Sequence, residues 1–213
     1  MKRIVTIAAL CVALPAVAFA GGEREIERSF PLEPGQSVML DFPVGSLTVE
    51  GWDGDEVRVE LEAECRHRSR RCEERLAELE VRSRSGSRRL EVEVGPGGSW
   101  KSSRLELEAV VWVPRRAALE IEMGVGELRV EGFENDVRID MGIGEVGVRM
   151  AEAVVRSVEL DAGIGESRLS GVSPRVRERR SLLIGSELSW DEGEGRAQVE
   201  VDLGIGEISV SLG

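Results

Sequence analysis

The sequence predicts an all-β protein: a single-domain β-solenoid of stacked rungs, with a period of about 20 residues and one short helical insertion. Three observations predict this architecture. A motif seen as IDMGIGEVGV at 139–148 occurs four times, the other long segments alternate apolar with charged residues, and one segment has a helical spacing. A unit this short cannot bury its apolar face alone, so stacked units must share one core.

The first 20 residues, MKRIVTIAALCVALPAVAFA, have the three parts of a secretory signal peptide. Lys2 and Arg3 give a positive start, residues 4–16 are mostly apolar, and residues 18–20 match an A-x-A cleavage site. The apolar run is too short to span a bilayer comfortably, and no later segment approaches 20 apolar residues. We therefore expect residues 1–20 to be cleaved. The remaining single domain, 21–213, is expected to be periplasmic or secreted to the cell surface and not membrane-spanning.

Several segments between residue 38 and the repeats alternate apolar with charged residues, which is typical of a sheet with one buried and one hydrated face. Residues 38–51, VMLDFPVGSLTVEG, have the pattern of a further rung, with a corner at Gly45-Ser46. Simpler strands are predicted at 55–63, 88–95 and 103–114.

One segment departs from strand alternation. In CRHRSRRCEERLAELEV at 65–81 many residues are good helix formers, and Leu76 and Leu79 are three positions apart. The sequence therefore predicts a short helix over 72–79, inserted between two strands.

The four copies of the motif lie at 121–130, 139–148, 160–169 and 201–210. In the second copy the alternating apolar residues reach Ile143 and resume at Val146, and a step of three reverses the face that points inward. We expect Ile143 and Val146 both to point into the core, on either side of a corner. A glycine occupies this corner in every copy, because a residue without a Cβ takes unusual dihedrals freely. These corner glycines are Gly126, Gly144, Gly165 and Gly206.

The spacing of the corner glycines suggests where a further copy lies. They are 18, 21 and 41 residues apart, and 41 is about two periods of twenty. RSLLIGSELSW at 180–190 lies at the missing position, so we predict a degraded rung there.

These features together resemble a known family. A signal peptide, an early GSLTVEG strand pair followed by WDGDEVRV, a short helix and G-x-G-E rungs ending in GIGEISV are similar to the Toastrack-type putative adhesins of the bacterial envelope. The resemblance covers about residues 30–213. It implies a β-solenoid of hairpin-like rungs, exported or membrane-tethered, with links to envelope stress in some members. The family supplies no catalytic motif.

Cys65 and Cys72 are the two cysteines that follow the predicted signal peptide. Export places them in an oxidising compartment, so we predict a disulfide that closes the short loop between them. The alternative is a metal site that includes His67. Three ligands on one loop fall short of the four of structural zinc, so no metal is predicted.

The same loop is basic on an otherwise acidic protein. Its arginines define a candidate partner-binding tip and are Arg66, Arg68, Arg70 and Arg71. Either they form a solvated turn, or they meet an anionic partner such as a phosphorylated lipid headgroup, an acidic glycan or an acidic protein face.

In-register stacking of the copies would also align their carboxylates. One predicted column contains Glu127, Glu145, Glu166 and Glu207, and a second contains Asp140, Asp161 and Asp202 with Glu122. Rungs about 4.8 Å apart would make these charges repel, unless solvent screens them or a cation such as calcium bridges them. The sequence lacks an established calcium loop, so we expect solvated columns and no cofactor.

Composition restricts the function. Without Lys2 and Arg3, 26 basic residues remain against 40 acidic ones, a net charge of −14, which argues against a nucleic-acid partner. His67 is the single histidine and tyrosine is absent, so most acid–base and nucleophilic constellations cannot be assembled. We therefore predict a non-catalytic exported envelope protein, a scaffold or interaction module. Its expected partner is an envelope protein, or an anionic glycan or lipid headgroup.

Two other functions stay open. A surface adhesin or carbohydrate-binding protein would stack exposed tryptophans on sugars, although core or rim packing is the commoner use of this residue. The tryptophans are Trp52, Trp100, Trp112 and Trp190. A polysaccharide-acting enzyme needs only two carboxylates, yet no acid–base cluster stands out from the surface glutamates.

Overall fold

The computed structural model describes residues 19–20, 22–67, 69–96, 105–172, 177–180 and 185–213. The predicted signal peptide lies outside these residues, apart from Phe19–Ala20.

Strands dominate the described residues, so the all-β prediction is confirmed. The strands before the repeats are β1 (Phe19–Ala20), β2 (Glu23–Pro31), β3 (Ser37–Trp52), β4 (Glu56–Cys65), β5 (Leu79–Ser85), β6 (Arg89–Pro96) and β7 (Leu105–Pro114). Those that follow are β8 (Leu119–Glu131), β9 (Val137–Met150), β10 (Val155–Ser170), β11 (Arg177–Arg180), β12 (Ser186–Trp190) and β13 (Ala197–Leu212). A 3₁₀ turn at Glu152–Val154 precedes β10.

The predicted helical insertion is also confirmed, as α1 (Arg70–Glu78). It begins two residues earlier than predicted because Ser69 is its N-cap, and the Cys72 amide donates to the Ser69 Oγ over 3.3 Å. Leu79 does not continue the helix: it is the first residue of β5, and its side chain is buried.

All thirteen strands belong to one mixed sheet, in the order β1-β2-β4-β7-β3-β8-β9-β13-β10-β12-β11, with the β5–β6 hairpin attached to β3 through β6. The strands β3, β8, β9, β13 and β10 are parallel and in register. The strand β4 pairs antiparallel with β2 on one side and with β7 on the other.

A solenoid of successive rungs is not confirmed. The fourth copy of the motif, on β13, lies between the second copy on β9 and the third on β10, so the order in space differs from the order in sequence. The degraded rung predicted at 180–190 is not confirmed either. Its described part, β12, pairs antiparallel with β10 and therefore does not stack as a parallel copy, and residues 181–184 lie outside the described residues.

The core follows from alternation on both arms of each long strand. On β9, Ile139 and Met141 of the first arm and Val146 and Val148 of the second arm are buried. The corresponding residues of the neighbouring strands lie beside them, so the inward side chains form one continuous apolar core.

The third copy carries one polar residue at an inward position. Ser167 of β10 lies beside Ile208 of β13, where the other copies also have an aliphatic residue. Its Oγ donates to the carbonyl of Ser186 on β12 over 3.3 Å. The buried hydroxyl is therefore satisfied at the point where the parallel strands end and antiparallel pairing begins.

Candidate functional site at the corner of the repeats

The corner glycines have backbone conformations that favour glycine. Their φ angles are +147° at Gly126, +146° at Gly144, +142° at Gly165 and +145° at Gly206. Close approach of the strands adds to this requirement, because a Cβ on Gly144 would overlap the carbonyl oxygen of Gly126 on the next strand. Each of these positions therefore demands glycine for two separate reasons.

The structure corrects the predicted orientation of the residue before each corner glycine. Ile143 was expected to point inward, but it is 47 % exposed. The burial pattern of β9 runs inward to Met141 and resumes inward at Val146, so residues 142–145 all lie at the surface. The corner is thus four residues wide, and the aliphatic residue in its middle faces solvent.

The same orientation occurs in all four copies and creates an exposed aliphatic ridge. We define the ridge as Val125, Ile143, Ile205 and Ile164, which are 45 %, 47 %, 44 % and 43 % exposed. Each lies beside the next in the parallel register of β8, β9, β13 and β10. Half-buried Val44 on β3 continues the line beyond Val125. Adjacent strands are about 4.8 Å apart, so the side chains form one contiguous apolar stripe.

Glycines keep the flanks of the ridge low. Gly142 lies before Ile143 and Gly144 after it, and the neighbouring copies repeat this arrangement. A Cβ on Gly142 would lie 2.6 Å from the carbonyl oxygen of Gly124, so the close packing of the strands excludes a larger residue. The aliphatic side chains therefore stand above two troughs of bare backbone.

Carboxylates border both troughs. We call the line beyond Gly144 the Glu column, and it consists of Glu127, Glu145, Glu207 and Glu166. We call the line before Gly142 the Asp column, and it consists of Asp41, Glu122, Asp140, Asp202 and Asp161. The residues that the sequence aligned in two columns are thus neighbours in the register of the sheet.

Arginines offset part of the charge in the Glu column. Arg129 forms an ion pair with Glu127, and Arg168 pairs with Glu166 at 2.6 Å and approaches Glu207 at 3.7 Å. All of these groups are largely exposed, so each pair contributes little to stability.

Burial and neighbouring carboxylates disfavour the ionised form of two aspartates in the Asp column. Partial burial raises the pKa of Asp202, and the neighbouring carboxylates of Glu200, Asp140 and Asp161 raise it further, while Arg138 at 4.0 Å lowers it. Burial likewise raises the pKa of Asp41. A cationic group placed over this column would therefore be favoured.

The predicted disulfide is present between Cys65 and Cys72. It closes the tip onto α1, and Arg24 of β2 fixes the other end of the helix by donating to the carbonyls of Leu76 and Ala77 over 2.7 and 2.8 Å. The tip is therefore held at both ends of α1.

The arginines of the tip are partly neutralised inside the chain. Arg66 makes two hydrogen bonds with Glu106, of 3.2 and 3.3 Å, and this contact lowers the pKa of Glu106. Arg70 pairs with Glu74 at 3.0 Å. Arg71 is exposed, and Arg68 lies outside the described residues. The structure thus brings acidic partners to two of the four predicted tip residues.

An open cleft of about 670 Å³ lies between the tip and the end of the ridge. It is lined by Val44 on the ridge side and by Arg66, His67 and Glu106 on the tip side. The predicted tip and the ridge are therefore neighbours on one surface.

The described tryptophans are engaged in packing and hydrogen bonding. Trp190 is buried. Trp52 donates to the Glu56 carbonyl over 3.1 Å and lies under the guanidinium of Arg58, and Trp112 donates to Glu50 over 3.0 Å. Trp100 lies outside the described residues. The rim-packing interpretation holds for Trp52 and Trp112, and core packing holds for Trp190.

The described residues contain no group of three or more His, Cys, Asp or Glu side chains arranged to hold a metal ion. Their single α-helix has nine residues, and no described helix has the length and apolarity that crossing a membrane requires.

No protein-family model and no curated protein matches the chain. A solved structure described as a putative cell adhesion protein from Clostridium sporogenes ATCC 15579 has a TM-score of 0.52 and 18% identity, covering 89% of this chain and 100% of that one. The chain shares the fold of that adhesion protein, in agreement with the resemblance to the Toastrack-type adhesins.

Two further solved structures match with lower TM-scores. A putative lipid binding protein from Parabacteroides distasonis ATCC 8503 has a TM-score of 0.31 and 9% identity, over 89% of this chain and 94% of that one. A putative adhesin from Parabacteroides merdae ATCC 43184 has a TM-score of 0.24 and 6% identity, over 88% and 93%.

Proposed function

We propose that the protein is a non-catalytic, exported envelope protein that acts as an interaction module, and that its partner binds the ridge. The observation that carries this proposal is the line of four aliphatic side chains, each more than two-fifths exposed, at consecutive positions of a parallel sheet. Single exposed aliphatic residues are normal on soluble proteins, whereas a contiguous apolar patch marks an interaction site.

Two further observations support the cellular setting. The Cys65–Cys72 disulfide fits an oxidising compartment, and the N-terminal sequence has the pattern of a signal peptide. A surface adhesin is the second candidate function, favoured by the fold shared with the clostridial cell adhesion protein. In either case binding by the ridge needs no tryptophan, because aliphatic side chains supply the contact area.

Binding to cell envelopes tests the proposal. The double variant Ile143→Thr/Ile205→Thr keeps the β-branched shape and strand propensity but removes apolar surface from the ridge. We expect the mature variant to bind envelopes of the source organism about tenfold more weakly than wild type.

The controls separate the ridge from the tip and from general surface effects. Val110→Thr makes the matched change at a half-exposed outward position of β7, and this variant should bind like wild type. Arg66→Ser/Arg71→Ser removes two described charges of the tip. Wild-type binding by the ridge variant would refute the proposal, and a loss confined to the tip variant would assign the function to the tip.

A further inference from the structure

We propose that the ridge is the docking site for a cationic amphipathic helix of a partner protein, with its apolar stripe on the ridge and its basic side chains over the two carboxylate columns. This inference rests on the proposed function and specifies the chemistry of the partner. Three features of the surface carry it: its length, its charge and its position within the sheet.

The length of the ridge suits a short helix. From Val44 to Ile164 the line crosses five strands, which is about 19 Å at the usual strand spacing. A helix of about 13 residues has this length. Apolar residues three and four apart on a helix recur every 4.5 to 6 Å or so along its axis, close to the spacing of about 4.8 Å between side chains of the ridge.

The charge beside the ridge selects a basic partner. The Glu column borders one side and the Asp column borders the other, so an apolar stripe with cations on both sides is the complementary surface. A second copy of this chain would place the same acidic columns against these, and an anionic lipid surface would be repelled as well. Asp202 lies between Asp140 and Asp161 in the register, and burial first and the neighbouring carboxylates next raise its pKa.

The position of the ridge favours a helix over a strand. The ridge crosses the middle of the sheet, where Ile143 of β9 has paired strands on both sides, so no free edge is available for an added strand. The bare backbone at Gly142 and Gly144 leaves both sides of the Ile143 side chain open. Partner side chains can therefore enter the troughs and contact the ridge laterally.

A series of synthetic peptides tests the inference on the full mature chain. Three helical peptides of about 15 residues share one leucine stripe and differ only beside it, where they carry lysine, glutamine or glutamate. A fourth peptide has the lysine composition in scrambled order and lacks the stripe. Fluorescence anisotropy measures the Kd of each peptide.

We expect wild type to bind the lysine peptide at least about tenfold more tightly than the glutamine or scrambled peptide. The glutamate peptide should bind most weakly of all. Binding of the lysine peptide should be weaker for Ile143→Thr/Ile205→Thr and for Asp140→Asn/Glu145→Gln, but unchanged for Val110→Thr. Added salt should weaken this binding for wild type. Circular dichroism melts verify that each variant is folded.

Several outcomes would overturn the inference. Two concern the peptides: the three striped peptides bind equally, or the scrambled peptide binds as tightly as the lysine peptide. Two concern other partners: wild type forms a dimer that the ridge variant loses, or the ridge is required for binding to phosphatidylglycerol vesicles. Absence of lysine-peptide binding would overturn it too. The envelope assay decides the proposed function separately, because it presupposes nothing about the chemistry of the partner.

Discussion

Two parts of the sheet use the same alternation to build different outer surfaces. In the parallel part, each residue lies beside its counterpart in the next copy, so Asp140 adjoins Asp202 and Ile143 adjoins Ile205. In the antiparallel part formed by β2, β4 and β7, neighbours are not copies of one motif: Glu60 adjoins Val110 and Arg58 adjoins Trp112. Parallel, in-register pairing of the copies therefore places the same residue type on each neighbouring strand and produces a continuous surface feature. The ridge and its two columns exist where the motif repeats.

The two parts are also held together differently. The tip beside the antiparallel strands is secured by a covalent bond, an N-cap and a side chain that reaches the end of α1. The repeats depend on a close approach of backbones that tolerates no side chain at Gly144. Substitutions at the corner should therefore affect the whole sheet, whereas changes at the tip should act locally.

The largest effect is expected for Gly144→Val. The substitution places a branched side chain at φ +146° and against the Gly126 carbonyl, so it adds backbone strain to a steric overlap. We expect a loss of about 4 kcal/mol or more of unfolding free energy. Chemical denaturation measures it.

Two glycines serve as controls for this prediction. Gly35 has φ +86° with open space around its Cβ position, so Gly35→Val should cost only about 1 to 2 kcal/mol from strain. Gly213 has neither constraint, and Gly213→Val should be neutral. If Gly144→Val unfolded like Gly35→Val, close backbone approach would not be what the corner requires.

The next largest effect contrasts two isoleucines of one strand. Ile139 is completely buried and Ile143 is 47 % exposed, although both belong to the same apolar alternation. Ile139→Ala should destabilise by about 3 kcal/mol, and Ile143→Ala by less than about 1 kcal/mol. Thermal and urea unfolding of the pair measures the difference. Equal losses of unfolding free energy would show that Ile143 belongs to the core and that the exposed ridge does not exist.

The sequence predicted most of the strands, the short helix and the positions of the corner glycines, because these depend on local spacing, but it did not predict β2 or β5. Alternation of apolar with charged residues identified β4, β6 and β7 within one or two residues at each end. The order of the strands was not predictable in the same way. Four copies of one motif offer nearly identical pairing edges, so no local feature of the sequence determines that β13 lies between β9 and β10.

The ridge was missed because the corner was assumed to be narrow. A step of three from Ile143 to Val146 fits a corner of two residues, Gly144 and Glu145, with both flanking residues inward, but the buried positions are Met141 and Val146, five apart. The signal was present in the motif itself. An aliphatic residue between two glycines has no adjacent side chains to cover it, so repetition of G-[IV]-G predicts an exposed line rather than a buried one.

The disulfide is expected to contribute less than the corner, and only near the tip. Cys65→Ser/Cys72→Ser should cost about 2 to 3 kcal/mol for a loop of this length. Hydrogen exchange should accelerate in α1 and leave β8 and β9 unchanged. Intact mass should rise by two hydrogens on reduction of the wild type. Faster exchange throughout the repeats would show that the tip supports the whole sheet.

The smallest effect tests repulsion within the Asp column. The pKa of Asp202 is raised in the folded chain by burial first and by Glu200, Asp140 and Asp161 next, so its ionised form costs stability. Since the folded state binds the proton more readily than the unfolded state, this cost applies above the raised pKa and disappears as the pH falls below both values. The side chain is partly exposed, so solvent reduces the cost.

Asp202→Asn should therefore raise the Tm by about 1 to 2 °C at pH 7, and the gain should vanish near pH 3. Asp191→Asn, at an exposed position outside the column, should leave the Tm unchanged at both pH values. A gain for Asp202→Asn that persists at low pH would show that packing, and not repulsion along the column, limits stability at this position.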